Sequence, residues 1–114
     1  MNVLFICTSN KDRSPALEEF FKHHFPNNSY RSAGVNKYFT AKKGTHYLTI
    51  EDIEWANLIV YAEPIHYTIA DRDFKATKVG FKDCLTLNLG EYTQGHVGED
   101  YLLRALVQIE KHLK

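Results

Sequence analysis

The sequence predicts an α/β domain built on a four-stranded parallel sheet with helices on both faces. Three observations carry this expectation. Two continuous apolar runs, "VLFI" at 3–6 and "NLIVYA" at 57–62, have the composition of strands buried on both faces. Helix-start signals follow each run. The tail then places Leu102, Ala105, Leu106, Ile109 and Leu113 on one stripe, the mark of an amphipathic final helix.

Each element follows from local chemistry. After the first strand, Ser14 reads as an N-cap and Pro15 as the first helical residue. Ala16, Leu17, Phe20 and Phe21 share a helical stripe, and "PNN" at 26–28 ends that helix. "SYRSAGV" at 29–35 reads as a second strand ending at Gly34. Residues 36–48 are polar with three aromatics and no clear period, so a loop is expected there. Thr49 with Asp52 three residues on resembles a capping box opening "IEDIEWA". "NLIVYA" is the next strand, and Pro64 begins the helix "PIHYTIADRDF". "TKVGF" and "CLTLNL" are short β-prone pieces, at least one of which supplies the fourth strand. The expected architecture is a small three-layer, flavodoxin-like domain with right-handed crossovers and strand order 2-1-3-4.

Composition narrows the function classes. A chain of 114 residues is expected to form one domain and to bury a core without disulfide staples. The formal net charge is zero, which argues against nucleic acid or anionic membrane as the main partner. Cys7 and Cys84 are too few for a disulfide framework, so a reducing, cytoplasmic setting is expected. "MNVLFIC" is too short for a signal peptide, and no run approaches the roughly 20 apolar residues of a membrane span. Nothing in the sequence indicates an oligomeric state.

The chemistry concentrates at "CTSNKDR", residues 7–13. Cys7 stands at the carboxyl end of the first strand, where parallel sheets place their ligands. The loop of Thr8, Ser9, Asn10, Lys11 and Asp12 runs into a helix N-terminus at Arg13 and Ser14. Inward-turned N–H groups in such a loop make an anion-binding nest, and the same field favours a thiolate. Arg13 adds a planar fork of donors for two phosphate oxygens. Thiolate, N–H ring and guanidinium together suit phosphoryl transfer through a cysteinyl-phosphate. Ser14 is placed to donate to the sulfur. Cysteine is also among the most buried residue types and C-(x)5-R arises often by chance, so on spacing alone Cys7 reads sooner as the end of a core strand. Its place between a strand and a helix start favours the nucleophile.

"VLFICTSNKDRSP" resembles the signature loop of the low-molecular-weight protein tyrosine phosphatases, in which C-x-x-N-x-x-R-S-P joins an apolar strand to a helix. Cys7, Asn10, Arg13, Ser14 and Pro15 match, "RSAGV" resembles the family's Ser-Ala-Gly segment, and "WANLIVYAE" resembles its third-strand segment with a following acid. The chain is similar to a compact bacterial branch of predicted phosphatases. The resemblance implies that Cys7 is the nucleophile, Arg13 binds phosphate, Ser14 tunes the thiolate and Asn10 braces the loop. It implies a hydrolase acting on phosphotyrosine or another aryl phosphate monoester, on a protein or a small molecule, with no metal or other cofactor. Tyr38 and Phe39 occupy the place of the family's groove aromatics, with packing onto the sheet edge as the plain alternative.

The family's general acid is an Asp in an Asp-Pro-Tyr segment, and here the corresponding stretch reads "LNLGEYTQGHVGED". Glu91 is the nearest carboxyl, with Tyr92 beside it as a groove residue. Glu99 and Asp100 compete, but read as first-turn acids of the last helix. Lys11 and Asp12 depart from the family pattern, Asp12 being expected to face solvent or pair locally. Cys84 reads as a small core residue at a strand start. The six histidines show no zinc spacing and default to solvated or capping roles, with His66 and His96 marked only as near the sheet's carboxyl edge. Two other functions remain. One is a catalytically impaired phosphate or phosphopeptide-binding module, suggested by the missing Asp-Pro-Tyr. The other is an arsenate reductase, disfavoured because only Cys84 could resolve its intermediate. A sugar-transport phosphocarrier is disfavoured by Arg13-Ser14.

Overall fold

The computed structural model describes residues 1–74, 82–89 and 97–113. Strand β1 (Asn2–Cys7) leads to helix α1 (Arg13–His24), and β2 (Ser29–Gly34) is followed by α2 (Lys37–Lys43) and α3 (Ile50–Trp55). Then come β3 (Leu58–Tyr61), α4 (Pro64–Asp73), β4 (Asp83–Thr86) and α5 (Glu99–Ile109). The four strands form one parallel sheet of order β2-β1-β3-β4, as expected. Of the two candidate fourth-strand pieces, the second supplies it; "TKVGF" lies outside the described residues.

The apolar runs become the two central strands. Alternation sends Val3 and Phe5 to one face of β1 and Leu4 and Ile6 to the other. The first face packs on Leu17 and Phe21 of α1 and on Ala105 and Ile109 of α5. The second packs on Ile53 of α3 and Ala70 of α4. Both faces of β1 and β3 are therefore covered, which is why their sequences show no polar alternation. Thr49 and Asp52 form the expected capping box, and the apolar stripe of α5 faces the core through Ala105 and Ile109. Among the described residues no helix is long and apolar enough to cross a membrane.

Three expectations fail. Residues 36–48 are not a loop throughout, since Lys37–Lys43 is helical. Asn36 caps this helix by accepting from Phe39 N–H, and Gly44 closes it at φ 67°. Only Thr40 is buried, so α2 carries no apolar period to read. Ser14 does not cap α1; the N-cap is Asp12, without a side-chain cap bond, and Ser14 lies buried inside the first turn. Cys84 is exposed on the edge strand β4 rather than packed in the core.

In this strand order, the connections out of β1 and β3 diverge to opposite sides of the sheet. The crevice at their carboxyl ends is the topological switch point. Cys7 ends β1 there, and Glu63 follows β3 there.

Candidate active site

At that crevice, residues 8–12 bend around a cavity of about 340 Å³ lined by Cys7, Thr8, Ser9, Asp12, Arg13, Phe39 and Lys43. The loop's shape has identifiable causes. Asn10 adopts φ 54°, a left-handed conformation that asparagine tolerates better than other non-glycine residues. Its side chain is buried and tied down at both ends: Nδ2 donates to Ser14 Oγ at 2.9 Å, and Oδ1 accepts from His46 N–H at 3.3 Å. The carbonyls of Cys7, Thr8 and Ser9 accept from Val35 N–H, Asn36 N–H and the Thr45 hydroxyl. They are thus satisfied on the protein side. Among the described residues, the N–H groups of Thr8, Ser9, Asn10 and Lys11 have no acceptor. This is the arrangement of an anion nest in front of a helix N-terminus.

Gly34 permits the close packing behind this loop. A Cβ at that position would lie 2.8 Å from the backbone of Asn10 and Ser9 and from the Thr40 methyl. The glycine of "RSAGV" is therefore a packing requirement of the loop itself.

Cys7 is buried at the cavity's inner end, with its Sγ 3.0 Å from Ser14 Oγ. Arg13 is buried as well, and its Nη1 meets Glu63 Oε2 at 2.5 Å. Glu63 is half-exposed, so this ion pair is partly screened and serves mainly to aim the guanidinium.

His66, one turn further along, takes the capping role the sequence allows, closing a capping box with the N-cap Glu63, but it is fully buried rather than solvated. Its Nδ1 accepts the Glu63 backbone N–H at 3.1 Å, and its Nε2 lies 3.0 Å from Thr8 Oγ1. Burial, assisted by the Arg13 charge, pushes the imidazole down to about 4, so it is neutral near pH 7. The sequence signalled both by place: Glu63 is the acid that follows the third-strand run, and His66 stands near the sheet's carboxyl edge.

The sequence-predicted residues divide clearly. Cys7, Thr8, Ser9, Asp12 and Arg13 line the cavity with Phe39. Asn10 and Ser14 support it from behind. Lys11 and Tyr38 are exposed and outside its lining. Asp12 is half-exposed and belongs to the lining. Lys43, unmarked in the sequence, also lines it and places Nζ 3.4 Å from Ser9 Oγ. Glu99 and Asp100 sit exposed in the first turn of α5, as expected of dipole-complementing acids. Glu91, Tyr92 and His96 lie outside the described residues.

No protein-family model matches the chain, and no curated protein matches its sequence. Solved structures do match its fold. A low molecular weight protein tyrosine phosphatase from Bacillus subtilis is 24% identical with a TM-score of 0.66, covering 100% of both chains. The YwlE arginine phosphatase from Geobacillus stearothermophilus is 22% identical with a TM-score of 0.62, covering 98% of this chain and 90% of the other. Vibrio vulnificus Wzb in complex with benzylphosphonate is 18% identical with a TM-score of 0.62, covering 98% and 93%. The chain therefore has the fold of these phosphatases.

Proposed function

We propose that this chain is a cysteine-dependent phosphatase that hydrolyses phosphotyrosine or other aryl phosphate monoesters through a cysteinyl-phosphate. One observation carries the reading: Cys7 Sγ sits at the inner end of a cavity lined by Thr8, Ser9, Asp12 and Arg13, beside a loop whose N–H groups at 8–11 have no acceptor among the described residues, with the Ser14 hydroxyl 3.0 Å away. Phosphate oxygens held by the loop and the guanidinium present phosphorus to the sulfur. The S–P bond forms as the P–O bond to the aryl group breaks. Water then cleaves S–P, and the Ser14 O–H stabilises the departing thiolate. The fold shared with known phosphatases supports the same chemistry.

The leaving aryloxide needs a proton. Glu91 is the proposed donor, from the segment that stands where the resemblance places the acid. Asp12 is a second candidate, as the carboxyl among the described lining residues.

The lining favours an aryl phosphate over phosphoarginine, the substrate class named for one structural neighbour. Phe39 offers an apolar ring face, and Lys43 adds a second cation beside Arg13. With two cations, Arg13 and Lys43, against the one carboxyl of Asp12, that wall suits a neutral phenyl ring better than a guanidinium.

Steady-state turnover of p-nitrophenyl phosphate tests the reaction. Wild type should turn over and Cys7→Ser should not, while keeping affinity for phosphate. Activity that survives Cys7→Ser rejects the mechanism. Phosphate binding without turnover in wild type leaves the binding-module reading. Glu91→Gln and Asp12→Asn, compared on a poor and a good leaving group, identify the acid. Free phosphotyrosine against phosphoarginine tests the selectivity.

A further inference from the structure

We infer that His66 is a positioning residue that fixes the Thr8 hydroxyl as a hydrogen-bond donor to the anion bound in the cavity; this rests on the phosphate-binding reading of the site.

The inference follows from proton accounting. Nδ1 of His66 accepts the Glu63 N–H, so it carries no hydrogen. In the neutral ring the hydrogen is then on Nε2, which donates to Thr8 Oγ1 at 3.0 Å. With one lone pair of Oγ1 engaged from behind, the Thr8 hydroxyl hydrogen is left to point elsewhere. Among the described residues no acceptor takes it, and Thr8 lines the cavity. An oxygen of a bound phosphate is the natural acceptor there. The depressed imidazole described above keeps this tautomer in place near neutral pH.

The same short segment holds the other end of the loop. Glu63 pairs through its carboxylate with Arg13. The start of α4 therefore braces the loop at both ends, Thr8 through His66 and Arg13 through Glu63. The histidine is built in rather than incidental, since it is fully buried and both ring nitrogens are engaged. A nearby hydrophobic residue would fill the volume but could not orient the hydroxyl.

The test measures inorganic phosphate affinity by thermal shift, with p-nitrophenyl phosphate kinetics in parallel, on wild type, Thr8→Val, His66→Leu, His66→Gln and the Thr8→Val/His66→Leu double variant. Loss of one donor to an anion predicts about tenfold weaker phosphate binding in Thr8→Val and in His66→Leu. The double variant should bind no more weakly than either single one, because both remove the same donor. His66→Gln, whose amide reaches a similar point, should recover part of the loss. The defect should appear in KM, whereas a smaller folded fraction would lower apparent kcat and leave KM unchanged. Wild-type affinity in Thr8→Val, or losses that multiply in the double variant, overturns the inference. Should His66→Leu fail to fold, His66→Gln decides: it must change phosphate affinity in the parent and leave it unchanged in Thr8→Val. Wild type that binds phosphate without turning over p-nitrophenyl phosphate refutes the proposed reaction alone, and the affinities still judge His66. Wild type that binds no phosphate refutes both.

Discussion

Ser14 Oγ lies 3.0 Å from Cys7 Sγ while accepting from Asn10 Nδ2 at 2.9 Å. An amide hydrogen engages one lone pair of the hydroxyl, and its own hydrogen must choose between the sulfur and the Ala33 carbonyl at 3.4 Å. A thiolate at Cys7 wins that choice, by distance and by charge. Asn10 thus acts on the sulfur through Ser14, as well as bracing the loop.

Ser14→Ala is expected to remove the only side-chain donor seen at the sulfur among the described residues. A hydrogen bond to a charged group is worth about 1.5–3 kcal/mol, so kcat should fall roughly tenfold to a hundredfold. The slowed step should be hydrolysis of the cysteinyl-phosphate, visible as a larger burst of p-nitrophenol in stopped flow. An unchanged kcat would remove Ser14 from the mechanism.

Gly34→Ala tests the packing behind the loop. Its Cβ would meet backbone atoms of Ser9 and Asn10 at 2.8 Å, which cannot swing aside as a flexible side chain would. Overpacking of this kind costs about 1–3 kcal/mol. Both the midpoint of urea unfolding and phosphate affinity should drop. A stable variant with intact affinity would show that the loop yields without consequence.

Glu63→Gln leaves Arg13 buried with its carboxylate partner neutralised. Because Glu63 is half-exposed, the loss of stability should be modest, about 1 kcal/mol. Turnover should fall further than stability does, since the guanidinium loses its aim. Bound phosphate should restore much of the lost stability by supplying a new anion, read as a larger phosphate-induced thermal shift than in wild type. Equal shifts in the two proteins would argue against this role.

His66 also sets a pH dependence of folding. Its imidazole is lowered from 6.5 to about 4, first by burial and then by the Arg13 charge, with Glu63 opposing. The unfolded chain gains the proton near 6.5, and the folded chain only near 4. The unfolded state therefore binds more protons across this window. Stability falls as pH drops from about 6.5 to about 4, by on the order of 3 kcal/mol in all, and is unaffected by this group at higher pH. Urea unfolding at a series of pH values should show this slope in wild type and lose it in His66→Gln. A slope that persists in the variant assigns it to other groups.

The sequence by itself determined the two central strands and the loop between the first strand and its helix. "VLFI" and "NLIVYA" must be buried on both faces, and "CTSNKDRSP" puts the proposed nucleophile, a bracing asparagine and a cation on one short turn. Such features are legible because their partners lie within a few residues. Local capping signals around α2 were equally present in Asn36 and Gly44, but a helix with one buried residue has no apolar rhythm to reveal it. Only the tertiary structure decided what surrounds the loop. Glu63 lies 50 positions from Arg13 and His66 58 from Thr8, and Lys43 and Thr45 lie more than 30 from Ser9. Parallel pairing of β1 with β3 and of β1 with β2 brings these residues to one sheet edge. Their roles come from burial and distance, which depend on how the strands pair, and a residue's type or spacing along the chain does not encode that pairing.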